Sequence, residues 1–262
     1  MSQVATHAHG TFCWVELGTT DVEAAKKFYA GLFDWETADT SAGEAGVYTL
    51  LQMRGRDVGG LYALQKGQRD QGVPPHWLAY VAVASADEAT RKATSLGGGS
   101  LMGPLDVVDF GRMSVLQDPT GATFAVWQAR DHAGSGVRDE PGSICWNELL
   151  TRDTRAAGKF YSGLFGWTMQ DMPMADASYT VCSKGATKAA GMMPILEEWG
   201  PMPASWLTYF GVDDCDARAD RARRLGGRIG KPPTDVPDIG RFSVIEDPQG
   251  AVFAILEPRT GA

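Results

Sequence analysis

The sequence predicts an α+β protein made of two tandem copies of one domain, and three observations carry this prediction. Residues 10–35 and 142–167 are identical at sixteen of 26 positions, at a fixed offset of 132. Residues 106–127 and 235–256 are identical at thirteen of 22 positions, at an offset of 129. Within each copy, one strand, one helix and further strands follow each other twice, with the helix on one face only. The chain therefore contains four such units.

Each copy begins with a predicted strand, at residues 11–17 in the first copy. Alternation along this strand places Trp14 and Glu16 on one face. The opposite, helix-covered face receives Cys13, Val15 and Leu17. In the second copy Trp146 and Glu148 stand at the matching positions, so the same pair of side chains recurs in both copies.

An amphipathic helix follows the first strand of each copy. In the first copy its apolar residues recur at helical spacing, at Ala25, Phe28, Tyr29, Leu32 and Phe33. The second copy repeats this stripe at Ala157, Phe160, Tyr161, Leu164 and Phe165. Thr20 and Glu23 have the spacing of a capping box at the start of the first helix. We interpret the stripe as core packed against a sheet rather than as a cofactor site.

Further strands and a second helix complete each copy. In the first copy we predict strands at 47–53, 58–64 and 77–84, a helix at 87–96, and strands at 113–117 and 123–128. The segment Asp118-Pro119-Thr120-Gly121 has the residues of a type I turn between the last two strands. Strands covered by helices on one face are typical of α+β layering rather than of a doubly wound sheet.

The composition excludes several classes of partner. The net charge is −8, the pI is about 5.0, and no run of Lys and Arg could follow a phosphate backbone, so nucleic acid is not expected. No apolar stretch is long enough to span a membrane. The first ten residues lack the features of a secretory signal. The four cysteines form no CxxC pair, so we predict free thiols and a cytoplasmic location.

The chain is expected to divide into a tail and two domains joined by a linker. Residues 1–9 form the tail, 10–128 the first domain, 129–141 the linker and 142–259 the second domain. The linker is rich in glycine and in charged residues, which is typical of an exposed connection.

Four motifs that recur in both copies carry a resemblance to a known family. CWxEL, TxD, AAxKFYxGLFxW and GRxSVxxDPxGAxFA together resemble the vicinal oxygen chelate superfamily of glyoxalases, extradiol dioxygenases and bleomycin-binding proteins. The resemblance implies that each domain is a pair of βαβββ modules. These modules would form an open, cup-like mixed β-barrel with helices on its outer face and a ligand on its concave face. It also implies a divalent metal that chelates two substrate oxygens.

The metal ligands of the family do not occur at the matching positions of this sequence. The resemblance maps the ligand positions onto Trp14, Trp77 or Leu78, and Ala125 in the first copy, and onto Trp146, Trp206 or Leu207, and Ala254 in the second. None of these side chains coordinates a metal ion. We therefore predict no metal and no other cofactor, although a divalent metal is the family's default.

The four histidines do not replace these missing ligands. His76 lies one or two positions from a mapped ligand position, but Ser205 stands at its place in the second copy. His7, His9 and His132 are expected to be polar residues of the tail and the linker.

Two acidic residues are the candidate catalytic groups. Glu16 and Glu148 are expected to point into aromatic cups, where loss of hydration raises the pKa of a carboxyl. Each could then serve as a general acid or base near neutral pH. The alternative interpretation is structural, with each carboxylate in an ion pair or hydrogen-bonded to a loop.

Six further side chains are candidate ligand-binding residues: Trp14, Tyr80, Arg112, Trp146, Tyr209 and Arg241. The two arginines occupy the same place in GRxSV and could hold a carboxylate or phosphate oxygen, or could pair with Glu16 and Glu148. The two tyrosines offer phenols at the cup wall, or pack in the core. Because the middle segments of the copies diverge, the two cups are expected to differ.

Three functions are compatible with these features. The first is a metal-independent protein that binds a small aromatic or polar metabolite or antibiotic in the cup of each domain. The second is a metal-independent lyase or isomerase that uses Glu16 or Glu148 as acid and base. The third, a metal-dependent glyoxalase or dioxygenase, is disfavoured by the mapped positions. The partner is a small molecule in each case, and the chain is expected to be a monomer or a homodimer.

Overall fold

A computed structural model describes residues 6–41, 46–173 and 178–259. The first half contains, in order, β1 (Phe12–Thr19), α1 (Val22–Phe33), β2 (Glu36–Ser41), β3 (Val47–Met53), β4 (Arg56–Ala63), α2 (Lys66–Asp70), β5 (His76–Ala82), α3 (Ala86–Ser95), β6 (Gly99–Val107), β7 (Gly111–Gln117) and β8 (Thr123–Ala129). The second half contains β9 (Ile144–Thr151), α4 (Thr154–Phe165), β10 (Thr168–Pro173), β11 (Ser178–Lys184), β12 (Thr187–Pro194), β13 (Ser205–Gly211), α5 (Cys215–Arg224), β14 (Arg228–Val236), β15 (Gly240–Glu246) and β16 (Val252–Pro258). No described helix is long and apolar enough to cross a membrane.

Each half is one open eight-stranded sheet made of two four-stranded modules. The strand order is β2-β3-β4-β1-β5-β8-β7-β6 in the first half and β10-β11-β12-β9-β13-β16-β15-β14 in the second. The central strands β1 and β5 are antiparallel, whereas β1 pairs in parallel with β4 and β5 with β8. This topology confirms the predicted α+β class and the two tandem domains of paired βαβββ modules.

The edge strands were the part of the sheet that the sequence did not predict. β6 and β14 have mostly exposed or half-buried residues and no apolar alternation. Their pairing with β7 and β15 contains register shifts, and β6 carries Gly and Pro, which are unusual within a strand. Because neither face of these edge strands is fully buried, their sequences carry little hydrophobic periodicity.

A β-bulge near the start of the first strand overturns one predicted side-chain orientation. Phe12 pairs with Val81 and Trp14 pairs with Tyr80, so Cys13 is the extra residue. Cys13 consequently packs in the same buried cluster as Trp14, rather than on the helix-covered face. The register of β9 and β13 shifts at the same place in the second half.

The two halves share one hydrophobic core on the helix-covered faces of their sheets. The phenol of Tyr29 on α1 donates a hydrogen bond of 2.9 Å to Asp247 of the second half. The phenol of Tyr161 on α4 donates one of 2.9 Å to Asp118 of the first half. Each first helix therefore packs against the sheet of the other half as well as against its own. The aromatic stripes lie in this core, as expected.

The aspartates of the DPxG turns explain why these turns recur. The backbone N–H of Gly121 bonds to the carbonyl of Asp118 at 3.0 Å, as in the predicted turn. The Asp118 carboxylate also accepts hydrogen bonds from the backbone N–H groups of Thr120 and Ala122. Asp118 therefore shapes its own turn and fixes the helix of the opposite half.

The predicted linker is packed against the first half. The backbone N–H of Ser135 donates to the carbonyl of Cys13 at 2.8 Å, and that of Gly136 donates to the carbonyl of Asp57 at 2.8 Å. Val137 is buried in the shared core. The segment between the domains therefore packs beside β1 and is not a free connection.

Candidate ligand-binding cups

The faces of the two sheets that point away from the shared core form two matched concave surfaces. The first cup is lined by Trp14, Glu16, Leu78, Tyr80, Ala125 and Trp127. The second cup is lined at the corresponding positions by Trp146, Glu148, Leu207, Tyr209, Ala254 and Leu256. Both predicted catalytic acids and four of the six predicted ligand-binding residues therefore lie in a cup.

The carboxyl group of Glu16 is held by two phenols. Tyr80 Oη donates to Glu16 Oε1 at 2.5 Å, and Tyr48 Oη donates to Glu16 Oε2 at 3.0 Å. Trp14 Nε1 donates in turn to Tyr48 Oη at 3.0 Å. The indole, two phenols and the carboxyl thus form one hydrogen-bonded chain across the first cup.

The second cup repeats this chain with matched residues. Tyr209 Oη donates to Glu148 Oε1 at 2.9 Å, and Trp146 Nε1 donates to Tyr179 Oη at 2.9 Å. Tyr179 also hydrogen-bonds Glu148. Neither acid has an ion-pair partner within the described ranges, so both are uncompensated carboxyls hydrogen-bonded by phenols.

The sequence did not single out Tyr48 and Tyr179, the second phenols of these chains. Each phenol lies over a glycine of the neighbouring strand, and a Cβ atom on Gly60 or Gly191 would lie 1.8 Å from the phenol oxygen. The tyrosines and the glycines are both related by an offset of 131, which lies between the two offsets of the recognised segments. Aligning the middle segments of the two copies at an offset of 131 would have shown that Tyr48 matches Tyr179 and that Gly60 matches Gly191.

The surroundings of the two acids favour their protonated form. Loss of hydration raises the pKa of Glu16 and of Glu148 above the ordinary value, and the phenol hydrogen bonds only partly oppose this effect. Glu148 is the more buried of the two, with 6% of its surface exposed. A raised pKa is what a carboxyl needs to act as an acid–base catalyst near neutral pH or as a neutral hydrogen-bond donor.

A Glu148→Gln variant is expected to change how stability depends on pH. A carboxyl whose pKa is raised by folding adds stability that is complete below its unfolded pKa of about 4.3 and is lost as the pH rises through the folded pKa. Glutamine does not titrate, so the variant should gain stability relative to the parent as the pH rises above about 4.3. Urea unfolding at a series of pH values measures this difference. A stability difference that does not vary with pH would contradict the raised pKa.

The two predicted arginines do not reach the cups. Arg112 Nε and Nη2 donate to the carboxylate of Asp87 at 2.7 and 3.0 Å, and the guanidinium also pairs with Asp106 at 3.1 Å. Because side chains alternate along β7, Arg112 points to the helix side, whereas its neighbour Met113 lines the cup. The alternative in which Arg112 pairs with Glu16 was therefore wrong.

The second arginine repeats this arrangement. Arg241 donates to the carboxylate of Asp216 at 2.5 and 3.0 Å and to that of Asp235 at 3.0 Å. The alternative in which Arg241 pairs with Glu148 was wrong for the same reason, because side chains alternate along β15. Asp87 and Asp216 lie in the first turns of α3 and α5, so each arginine ties a helix start to its sheet.

The two cups differ in how much of their aromatic surface is accessible. Trp14 is 5% exposed and Trp127 is 8% exposed in the first cup. Trp146 and Leu256, at the matching positions of the second cup, are half-buried, as is Phe242 beside them. The second cup therefore offers an accessible apolar surface next to its acid.

Comparisons with known proteins agree with this architecture. The sequence profile of the Glyoxalase/Bleomycin resistance protein/Dioxygenase superfamily matches residues 11–126 and 142–255. The chain belongs to this superfamily. This glyoxalase-superfamily chain is 40% identical over 263 residues to a Mycobacterium tuberculosis protein named "Putative glyoxylase CFP32", with 98% of each chain covered. It is 36% identical to the "Anthracycline biosynthesis protein DnrV" of Streptomyces peucetius, covering 97% of this chain and 95% of the relative.

Solved structures share the fold of this superfamily member at lower identity. The Mn(II)-bound glyoxalase from Novosphingobium aromaticivorans is similar with a TM-score of 0.65 at 20% identity, covering 95% of this chain and 82% of that one. The 2,3-dioxygenase LapB from Pseudomonas sp. KL28 is similar with a TM-score of 0.63 at 11% identity, covering 96% and 93%. At these identities the likeness establishes the fold.

The donor atoms of the cups do not fit the metal that the superfamily commonly uses. Across the first cup, Trp14 pairs with Tyr80, and Tyr80 pairs with Ala125. Tyr80, rather than the expected Trp77 or Leu78, therefore lies between the two other mapped positions, and this row contains no carboxylate or imidazole. Within the described residues, no group of three or more His, Cys, Asp or Glu side chains could hold a metal ion. His76, the imidazole nearest in sequence to a mapped ligand position, has its Nδ1 2.8 Å from the carbonyl oxygen of Pro74.

Proposed function

We propose that this glyoxalase-superfamily protein binds a planar aromatic small molecule in its second cup, without a metal ion. The observation that carries the proposal is a half-buried indole, Trp146, next to a buried carboxyl that has a raised pKa and no cationic partner in the described chain. Aromatic side chains stack on planar ligands, and a few converging polar groups fix the orientation of the ligand.

The chemistry of Glu148 narrows the class of ligand. The raised pKa of Glu148 favours the form of the carboxyl that can donate a hydrogen bond to a carbonyl or hydroxyl oxygen, and no cation of the described residues pairs with it to attract an anionic ligand. The surrounding Phe242, Leu256 and Val244 are apolar. An uncharged aromatic compound with carbonyl and hydroxyl oxygens, such as a hydroxyquinone, is complementary to both features.

A relative's name points to the same class of ligand. DnrV is named for anthracycline biosynthesis, and anthracyclines contain a planar hydroxyquinone. The similarity extends over nearly the whole of both chains. This supports the choice of a hydroxyanthraquinone as the first compound to test.

Calorimetric titration with emodin, a planar hydroxyanthraquinone, tests the proposal. We expect saturable binding that persists in the presence of EDTA. A Trp146→Ala variant should bind about tenfold or more weakly, because base-like stacking on one aromatic side chain contributes about 1–3 kcal/mol. Arg241→Gln provides the matched control, since Arg241 lies outside the cup and should leave the affinity unchanged. Binding that requires added metal, or that is indifferent to Trp146, would refute the proposal.

A second candidate function is acid–base catalysis as a lyase or isomerase. The hydrogen-bonded chain of Trp, Tyr and Glu in each cup favours it, because phenols and a carboxyl of raised pKa can hold and pass a proton. Incubation of a bound compound followed by mass spectrometry and chromatography distinguishes the two functions. Turnover that is lost in Glu16→Gln or Glu148→Gln supports catalysis, whereas unchanged ligand supports binding alone.

Two further proposals concern the setting of the protein. All four cysteines are free, which supports a reducing cytoplasm as its location. The first helix of each half packs against the sheet of the other half, which supports a monomer. Sedimentation of the purified chain tests the second proposal, and a stable dimer would contradict it.

A further inference from the structure

The segment that joins the two halves returns across the first cup. After β8 the chain reverses, and Trp127 Nε1 donates a hydrogen bond of 2.9 Å to the carbonyl of His132. The imidazole of His132 then lies edge-on to the indole of Trp14, with ring centroids 4.8 Å apart and an interplanar angle of 87°. Such an edge-to-face contact is a favoured geometry for two aromatic rings.

Backbone hydrogen bonds hold the part of this segment that follows His132 in place. Ser135 binds the carbonyl of Cys13 at the bulge of β1, and Gly136 binds the carbonyl of Asp57 on β4. Gly134 allows the close approach, since a Cβ atom there would lie 2.4 Å from the carbonyl oxygen of Cys13. The imidazole also lies near Asp57, with His132 Nε2 at 3.5 Å from the carboxylate.

Among the residues that the structure describes, the second cup has no counterpart of the Trp127 anchor. Leu256 stands where the first half has Trp127, and leucine has no N–H group to bind a returning carbonyl. At the same offset of 129, the sequence has Gly261 where the first half has His132. Accordingly Trp14 is 5% exposed, whereas Trp146 is half-buried.

We propose that His132 occupies, in the first cup, the position that an aromatic ligand takes beside Trp146 in the second cup. The duplicated chain therefore binds one aromatic ligand, not two, and the linker determines which cup is available. The inference rests on the proposed function, because it concerns the same class of ligand and the same kind of site.

The stoichiometry of emodin binding tests this inference. We expect one site in the parent chain and loss of that site in Trp146→Ala. A His132→Ala variant should bind a second equivalent, which a Trp14→Ala change in the same chain should remove. Trp127→Leu copies the residue of the second half, removes the anchor of His132 and should also open the first cup, so it serves as an independent second variant.

The outcomes separate this inference from the proposed function. Two equivalents bound by the parent chain would overturn the inference and leave the proposed function standing. A single site that persists in folded His132→Ala and Trp127→Leu chains would also overturn the inference alone. Absence of any binding by the parent chain would overturn the proposed function, and the inference with it.

Discussion

Replacement of Phe253 by alanine is expected to lower the free energy of unfolding by about 3–5 kcal/mol, the range for truncating a buried phenylalanine. Phe253 belongs to the second half and is 0% exposed. Its ring lies 5.6 Å from that of Tyr29 and 6.1 Å from that of Phe33, both on the first helix of the first half. The cavity would therefore open between the two halves and weaken them together.

Urea unfolding at neutral pH measures this effect, and the same strand offers a control. Val252 is 44% exposed, so Val252→Ala should change the stability by no more than about 0.5 kcal/mol. Phe124 lies at the matching position of the first half, 5.5 Å from Tyr161 of the second. Phe124→Ala should be comparably destabilising. Two separate unfolding transitions, with only one of them moved by Phe253→Ala, would contradict a shared core.

A Gly191→Ala substitution is expected to disrupt the second cup more than its size suggests. The added Cβ atom would lie 1.8 Å from Tyr179 Oη and 2.8 Å from Trp146 Nε1, so the phenol must move away. Two hydrogen bonds of part-buried or buried groups would then be lost, at a cost of about 2–4 kcal/mol. The affinity for emodin should fall about tenfold or more, because Trp146 loses the partner that fixes its ring.

The control for this substitution is a glycine with free space around it. Gly67 lies in α2 and a Cβ atom there would meet nothing within 4 Å, so Gly67→Ala should be neutral or slightly stabilising. Unfolding and calorimetric titration of both variants measure the two effects. Parent-like emodin affinity in folded Gly191→Ala would show that the Trp146–Tyr179–Glu148 chain does not shape the binding site.

The central part of the fold could be predicted because the two copies confirm each other there. The first strand, the aromatic helix and the DPxG turn are constrained on both sides, by the sheet and by the opposite half. Tyr29 and Asp118 make the same contacts as Tyr161 and Asp247, so both copies retain them. The edge strands have pairing on one side only, and their sequences carry little periodicity.

The sequence could predict that the two acids and the tyrosines of β5 and β13 lie on the same face of the sheet. It could not predict the positions of side chains that come from other parts of the fold. Glu16 and Tyr80 face the same side because strand alternation and register determine it. Arg112 was assigned to the wrong face because its motif carries no information on which side of β7 is concave. His132 approaches Trp14 through a long-range return of the linker, and local sequence patterns do not report such contacts.

A crystal structure of the chain with emodin tests the central claim most directly. We predict one ligand in the second cup, stacked on Trp146, with a carbonyl or hydroxyl oxygen within hydrogen-bond distance of Glu148. The first cup should still contain the imidazole of His132 against Trp14. A ligand bound outside the second cup, or one bridged to the protein by a metal ion, would contradict the account.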